Sequence, residues 1–313
     1  MAGTRIQVSE EHFAPLPSGI DLCYQTFGDP SAEPVLLVMG LGGPMTWWSP
    51  EFCTLLAERG FFVIRYDNRD VGRSSRVRAR VTRRMILRTF VSGRGRAPYT
   101  MQDLADDAFG LLDHLGIAAA HVVGISMGGM IVQTMALTQP ARVRSLTSIM
   151  STTGRRSVGW QDPRLLPLLL TPRGRSREHY IEHSARLWKM IGSPWYPDTP
   201  EAVRDRAGET WDRGVSMAGV MRQMAAVLSQ PDRSRRLHSL RVPTLVIHGM
   251  SDKMVHVSGG RATSRSVPGS ELLLIPGMGH DVPPELHETF VEAIRRNADR
   301  AGGRSGPQAR PGA

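Results

Sequence analysis

His121-Val122-Val123-Gly124-Ile125-Ser126-Met127-Gly128-Gly129-Met130-Ile131-Val132 reads as a buried strand, a sharp turn and a helix, with a serine at the apex. The Gly124-x-Ser126-x-Gly128 spacing has a steric reason. The serine is held in a strained backbone conformation, and a β-carbon two residues to either side would collide across the turn. Such a turn lifts the hydroxyl clear of the sheet and aims the N–H of Met127, at the helix start, at whatever Ser126 attacks. Five residues of this kind also arise in ordinary turns and glycine-rich helix starts, so the flanks decide. Val122 and Val123 are β-branched, and Met130 to Leu137 is apolar on every face until Pro140 stops it, as befits a helix packed between a sheet and its neighbours.

Outward from this turn, strands and helices alternate. Ile20–Phe27 and Val35–Met39 read as strands, the first closed by Gly28-Asp29-Pro30 and the second by glycines. Phe52–Glu58 reads as a helix ended by Gly60, and Phe61–Tyr66 as a buried strand. Thr100-x-x-Asp103 is a capping signature for a helix carrying Leu104, Ala108, Leu111, Leu112 and Leu115 on one face. Leu146–Met150, Pro243–Gly249 and Leu272–Ile275 are further strands, and an amphipathic helix with Leu286, Phe290, Val291 and Ile294 follows Pro283-Pro284. From Ser151 to about Ser239 the alternation disappears, leaving helical patterns around His179–Ile191 and Pro200–Leu228 and four of the six tryptophans. The division expected is an α/β core of residues 1–150 and 240–300, a helical cap of residues 151–239 and a disordered tail of residues 301–313.

Nine arginines and no acidic residue lie between Arg73 and Arg96, and they account for all but one of the ten net positive charges. This is a local excursion and not a basic fold; with no nucleic-acid motif beside it, nucleic-acid binding is not expected. A solvated flap is expected instead. Its central part, Val81–Val91, is imperfectly amphipathic because Leu87 and Val91 fall on the arginine side, so membrane association is not expected either. No run of about 18 apolar residues and no apolar leader is present, which predicts a soluble, cytoplasmic protein. Cys23 and Cys53 read as buried reduced thiols.

A nucleophilic serine needs a base, and the base needs an orienting acid. Of ten histidines, His280 is the best placed, on the glycine-rich Gly277-Met278-Gly279-His280 loop past a strand end; His248 falls inside a strand, where a core or wall role is expected. Asp252 follows the strand that ends near His248, and no acid occurs between Met150 and Gln161 to compete with it. Ser126, Asp252, His280 is also the chain order of nucleophile-elbow hydrolases.

These motifs resemble the α/β-hydrolase superfamily, and within it the serine esterases related to aclacinomycin methylesterase and the mycobacterial lipase/esterase group. The likeness is carried by Val38-Met39-Gly40-Leu41-Gly42, the run from Arg65 to Ser74, the elbow through Gly129, Pro243–Gly249 and Ile275–His280. It implies a mostly parallel sheet flanked by helices with an inserted helical cap, a Ser126, Asp252 and His280 triad, and an oxyanion hole from the N–H groups of Leu41 and Met127. Met39 stands where most relatives carry histidine, as it does in the esterases just named. The implied activity is ester hydrolysis on a small-molecule substrate with no metal or organic cofactor. Perhydrolase, thioesterase or C–C hydrolase chemistry on the same triad, or a non-catalytic binding module, are the alternatives.

Other residues remain open to two readings. Trp47 and Trp48 either wall an acyl pocket or pack the first helix. Asp67 and Asp70 read as a structural turn and ion-pair network with Arg69 and Arg73. Met217, Met221 and Met224 recur at helical spacing and read as cap core, and the cap tryptophans are expected over the triad, shielding an apolar pocket.

Overall fold

In the computed structural model, residues 6–92, 95–165, 167 and 176–302 are described. Largely apolar runs become interior strands because helices cover both of their faces, and the few polar residues within them, Arg65, His121, Thr244 and His248, are buried with the rest. Thus β4 (Phe61–Tyr66), β5 (Ala120–Ile125) and β7 (Thr244–Gly249) are buried at every residue. With β1 (His12–Pro15), β2 (Asp21–Phe27), β3 (Glu33–Val38), β6 (Val143–Ile149) and β8 (Glu271–Ile275) they form one eight-stranded sheet in the order β1-β2-β4-β3-β5-β6-β7-β8. The β1–β2 and β2–β4 pairs are antiparallel and the others parallel.

The flanking helices are α1 (Pro50–Glu58), α2 (Arg83–Ser92), α3 (Met101–His114), α4 (Met127–Thr138), α9 (Ser258–Ser266) and α10 (His287–Asp299), with α5 to α8 in the insertion described below. Side chains alternate across the pleat, so Leu36 and Val122 join the core under α3 and α4, while Leu37 and Val123 join the one under α1 and α10. Thr100 and Asp103 form the expected reciprocal cap at the start of α3. The chain leaves β3 towards β4 on one side and β5 lies on the other, which opens a crevice beyond the carboxyl ends of β3 and β5.

Between β6 and β7 the regular elements are helical among the described residues: α5 (Arg177–Ile191), α6 (Pro200–Asp212), α7 (Met217–Ser229) and the short α8 (Ser234–Leu237), with a 3-10 turn at Pro163–Leu165. The single pattern expected over 200–228 is two helices, broken at Gly214, whose φ of +107° only glycine adopts readily. Strand β1 and helix α9 were not foreseen, the first because it is four residues long and the second because its sequence, SGGRATSRS, has little apolar content. The arginine flap contains a helix, α2. Of the expected tail, residues 301 and 302 close a short 3-10 turn and the rest lies outside the described residues. Cys23 and Cys53 are buried free thiols. No described helix is long and apolar enough to cross a membrane.

The ion-pair network around Asp67 and Asp70 exists, but with other partners than expected. Arg69 turns away to Asp107 at 2.5 Å. Asp70 instead receives Arg222 of α7 in a forked pair at 2.6 and 2.8 Å, together with Tyr99 Oη at 2.8 Å and the N–H of Val77 at 2.9 Å. Asp67 accepts the N–H groups of Met45 and Arg73 and pairs with Arg213, just past α6, at 2.8 Å; Arg213 also reaches Glu11. Arginine spacing within the loop suggested local pairing, whereas the helical insertion supplies the buried cations. The methionine stripe is not core: Met217 is 40% exposed, Met221 and Met224 are half-buried, and α7 buries Arg222, Gln223, Ala225 and Ala226 instead.

A forked ion pair between side chains this deeply buried is costly to break from one side. Replacing Arg222 with Met is expected to lower unfolding free energy by about 3–5 kcal/mol, because Asp70 is left charged and buried. The double variant Arg222→Met, Asp70→Asn should recover much of that loss. Urea midpoints of the three proteins check this, and an unchanged midpoint for Arg222→Met would contradict the clamp.

Candidate active site

Ser126 sits at φ +55° and ψ −115°, between the last residue of β5 and the first of α4. The glycines around it are sterically required, though by two different neighbours. A β-carbon on Gly124 would lie 2.2 Å from the carbonyl oxygen of Gly128 across the turn, and one on Gly128 would lie 2.0 Å from the carbonyl oxygen of Val38 on β3. The turn is pinned further by the Ser126 N–H donating to Ile149 O at 2.9 Å and by Ser151 Oγ donating to Ser126 O at 2.7 Å.

Ser126, His280 and Asp252, each from a different loop beyond the strand ends, are brought together. His280 Nε2 is 3.1 Å from Ser126 Oγ, and His280 Nδ1 is 2.8 Å from Asp252 Oδ2. The other carboxylate oxygen accepts the N–H groups of Met254 at 2.8 Å and Val255 at 2.9 Å. An ionised carboxylate only accepts, so Nδ1 of His280 carries the proton and the Nε2 lone pair faces the serine. Burial pushes the Asp252 carboxyl up, but His280, with His248 beside it, outweighs this and holds it down at about 2.

His248 is fully buried, with Nε2 2.8 Å from Val255 O and 3.5 Å from Asp252 Oδ2. It has the wall role expected of it and also braces the acid.

The loop carrying Leu41 lies against the serine. A β-carbon on Gly40 would be 3.3 Å from Ser126 Cβ and 3.8 Å from its Oγ. As the first residue of α4, Met127 has an N–H with no intrahelical acceptor. The loop is held from both sides: Asn68 Nδ2 donates to Met39 O at 3.0 Å, and the N–H of Gly42 donates to Gln223 Oε1 of α7 at 2.8 Å.

The two tryptophans after this loop separate. Trp47 donates from Nε1 to Thr210 of α6 at 2.9 Å and meets the Trp188 ring edge-on at 5.4 Å, so it joins the loop to the insertion. Trp48 is 1% exposed and stacks on Phe52 in the core beneath α1, which is the packing role and not a pocket wall. Nor do all four tryptophans of the insertion shield the serine, since Trp160 and Trp195 are 51% and 68% exposed. Trp160 stacks on His256, and Trp195 lies over Gly277.

Several residues at the site carry no sequence signal. The N–H of His280 donates to Ile191 O, at the end of α5, at 2.7 Å, and that of Gly279 donates to Ser193 Oγ at 2.8 Å. Ser193 in turn donates through N and Oγ to the carboxylate of Asp281. Ser151 alone has a sequence signal, its position just past the end of β6, where an orienting acid could otherwise stand.

A family model described as alpha/beta hydrolase fold matches residues 33–285. Rhodomycin D methylesterase DauP of Streptomyces sp. (strain C5) is 30% identical over 298 residues, covering 88% of this chain and 94% of its own. RutD of Variovorax paradoxus (strain S110), named as a carbamate hydrolase, is 29% identical over 83% of this chain and 89% of its own. Among solved structures, the meta-cleavage product hydrolase CumD of Pseudomonas fluorescens IP01 aligns with a TM-score of 0.72 at 20% identity, over 94% of this chain and 98% of that one. At that identity the likeness is one of fold.

The lowered pKa of Asp252 makes stability depend on pH in the acid range. Its folded value of about 2 lies below the unfolded one, so its contribution is present in full above about pH 4 and is lost as pH falls towards 2. Asp252→Asn is therefore expected to flatten the loss of stability over that window. Denaturant titrations at a series of acidic pH values check it; acid limbs of equal slope would contradict the assignment.

Proposed function

We propose that this chain, which belongs to the α/β-hydrolase fold family, is a serine hydrolase that cleaves carboxylic esters through an acyl-enzyme intermediate. The observation that carries this reading is the unbroken hydrogen-bond chain from Asp252 through His280 to Ser126. His280 takes the Ser126 proton as Oγ attacks the ester carbonyl, and buried, ionised Asp252 keeps the imidazole in the tautomer that can accept it. The N–H groups of Leu41 and Met127 receive the oxyanion, each such donor contributing roughly 3–4 kcal/mol in comparable sites. Collapse of the tetrahedral intermediate sends the His280 proton to the leaving alcohol. Water, deprotonated by the same histidine, then releases the acid and restores Ser126.

What crowds the loop supports an apolar substrate class. Trp47, just past the loop, meets Trp188 edge to face, and Val220 Cγ2 lies 3.0 Å from where a β-carbon on Gly42 would be, so apolar side chains of the insertion stand beside the loop. Neutral esters with a sizeable apolar part fit this approach, and a methyl ester, as in the name of DauP, would present a small leaving group to it.

Ser126→Ala and His280→Ala should each lower kcat by about 10⁴- to 10⁶-fold without changing the circular dichroism spectrum, because nucleophile and base act as one unit. Because Asp252 is held ionised down to about pH 2, its protonation should contribute no loss of kcat/KM above about pH 4. Across p-nitrophenyl esters of increasing acyl length, kcat/KM should rise from acetyl to medium chains. Wild-type turnover by Ser126→Ala would contradict the nucleophile, and a preference for acetyl would contradict the apolar approach.

A further inference from the structure

Among the described residues, helix α2 carries a cluster of exposed apolar side chains inside the most basic stretch of the chain. Of eleven large apolar side chains exposed among the described residues, four lie on this ten-residue helix: Met85 at 40%, Phe90 at 56%, Leu87 at 63% and Val91 at 73%. The inner face is set by buried Thr89 and half-buried Ile86, and the helix rests on α7. Arg156 adds a bond from the insertion to the Phe90 carbonyl. With the inner face fixed in this way, Phe90, Leu87 and Val91 span one arc of roughly 100° that runs from the side of the helix to its outermost point, with Arg83 within it and Arg84 and Arg88 continuing just beyond Val91. No acidic residue occurs from Arg73 to Arg96. Of the described arginines in that run only Arg73 forms an ion pair among the described residues, with Glu11 at 2.8 Å.

We propose that α2 is an interfacial helix that seats this chain on an anionic lipid surface. The sequence pattern placed Leu87 and Val91 on the arginine side and argued against a membrane, but the pattern did not show which face is buried. Once Thr89 and Ile86 are seen to face inward, the mixture of leucine, valine and phenylalanine with arginine becomes the composition of a shallowly inserted helix. The rings and branched chains enter the boundary of headgroups and acyl chains, while the guanidinium groups remain among the phosphates. Arginine is suited to this because its planar fork matches a phosphate. A nucleic acid would neutralise the same charge but has no use for an apolar arc between the arginines. The helix rests on α7, which carries the Gln223 contact to the Gly42 N–H, so α7 connects the docked helix to the candidate active site.

The test is co-sedimentation of the full chain with sucrose-loaded vesicles, either phosphatidylcholine alone or phosphatidylcholine mixed with phosphatidylglycerol. It makes no use of ester turnover, so its outcome is separate from that of the proposed function. Binding is expected to the phosphatidylglycerol vesicles and not to the neutral ones. Both Leu87→Asp/Phe90→Asp/Val91→Asp and Arg83→Gln/Arg84→Gln/Arg88→Gln should weaken it by on the order of tenfold or more. Circular dichroism and the thermal midpoint should be unchanged in both variants, since these side chains are exposed. Absence of binding to phosphatidylglycerol vesicles would overturn the proposal. So would full binding by the aspartate variant, which would mean adsorption by charge alone, and so would double-stranded DNA binding that depends equally on both sets of residues.

Discussion

Ser126 is held in a left-handed backbone conformation, at a cost of order 1–3 kcal/mol for a residue with a side chain, because the β5–α4 turn is seated against the end of β3. Val38 is in register with Gly124, and the turn approaches so closely that a methyl group on Gly128 would meet the Val38 carbonyl. The same approach brings Gly40 beside the serine, where a β-carbon would lie 3.3 Å from Ser126 Cβ. The turn that carries Ser126 and the loop that lies beside it thus follow from one packing constraint at the point where the strand order reverses.

The helical insertion is tied to both halves of that site. Gln223 holds the loop on the Leu41 side, and Ile191 and Ser193 hold the backbone of the His280 loop. Arg213 and Arg222 fix the insertion to the core through Asp67 and Asp70. Buried ion pairs of this kind add little net stability over an apolar contact, but leaving one charge unpaired is expensive, so they penalise misplacement. A shift of the insertion would disturb the serine's surroundings and the histidine's backbone together.

Much of this was legible because the chemistry demands local patterns. The strand–turn–helix hydropathy around Ser126, the glycines before His280 and an acid one turn past β7 are each dictated by steric need, so they survive in a single sequence. What was not legible depends on distant partners. Nothing near Asp70 points to Arg222, 152 residues away, and the arginines beside it in sequence suggested the wrong pairing. Trp48 and Trp47 are adjacent yet turn to opposite environments, which alternation alone could not assign to core or insertion. Ser193 and Asp281 meet only because α5 ends against the His280 loop. The methionine spacing on α7 marked a helix correctly but not its buried side, because that side is made of Arg222 and Gln223 with their polar partners.

If Ser126 is an activated nucleophile, it reacts covalently with a fluorophosphonate, and mass spectrometry of the treated protein tests this most directly. One adduct per chain on the peptide bearing Ser126, absent in Ser126→Ala and strongly reduced in His280→Ala, is the result the geometry requires. An adduct on another residue, or labelling that persists undiminished in Ser126→Ala, would contradict it.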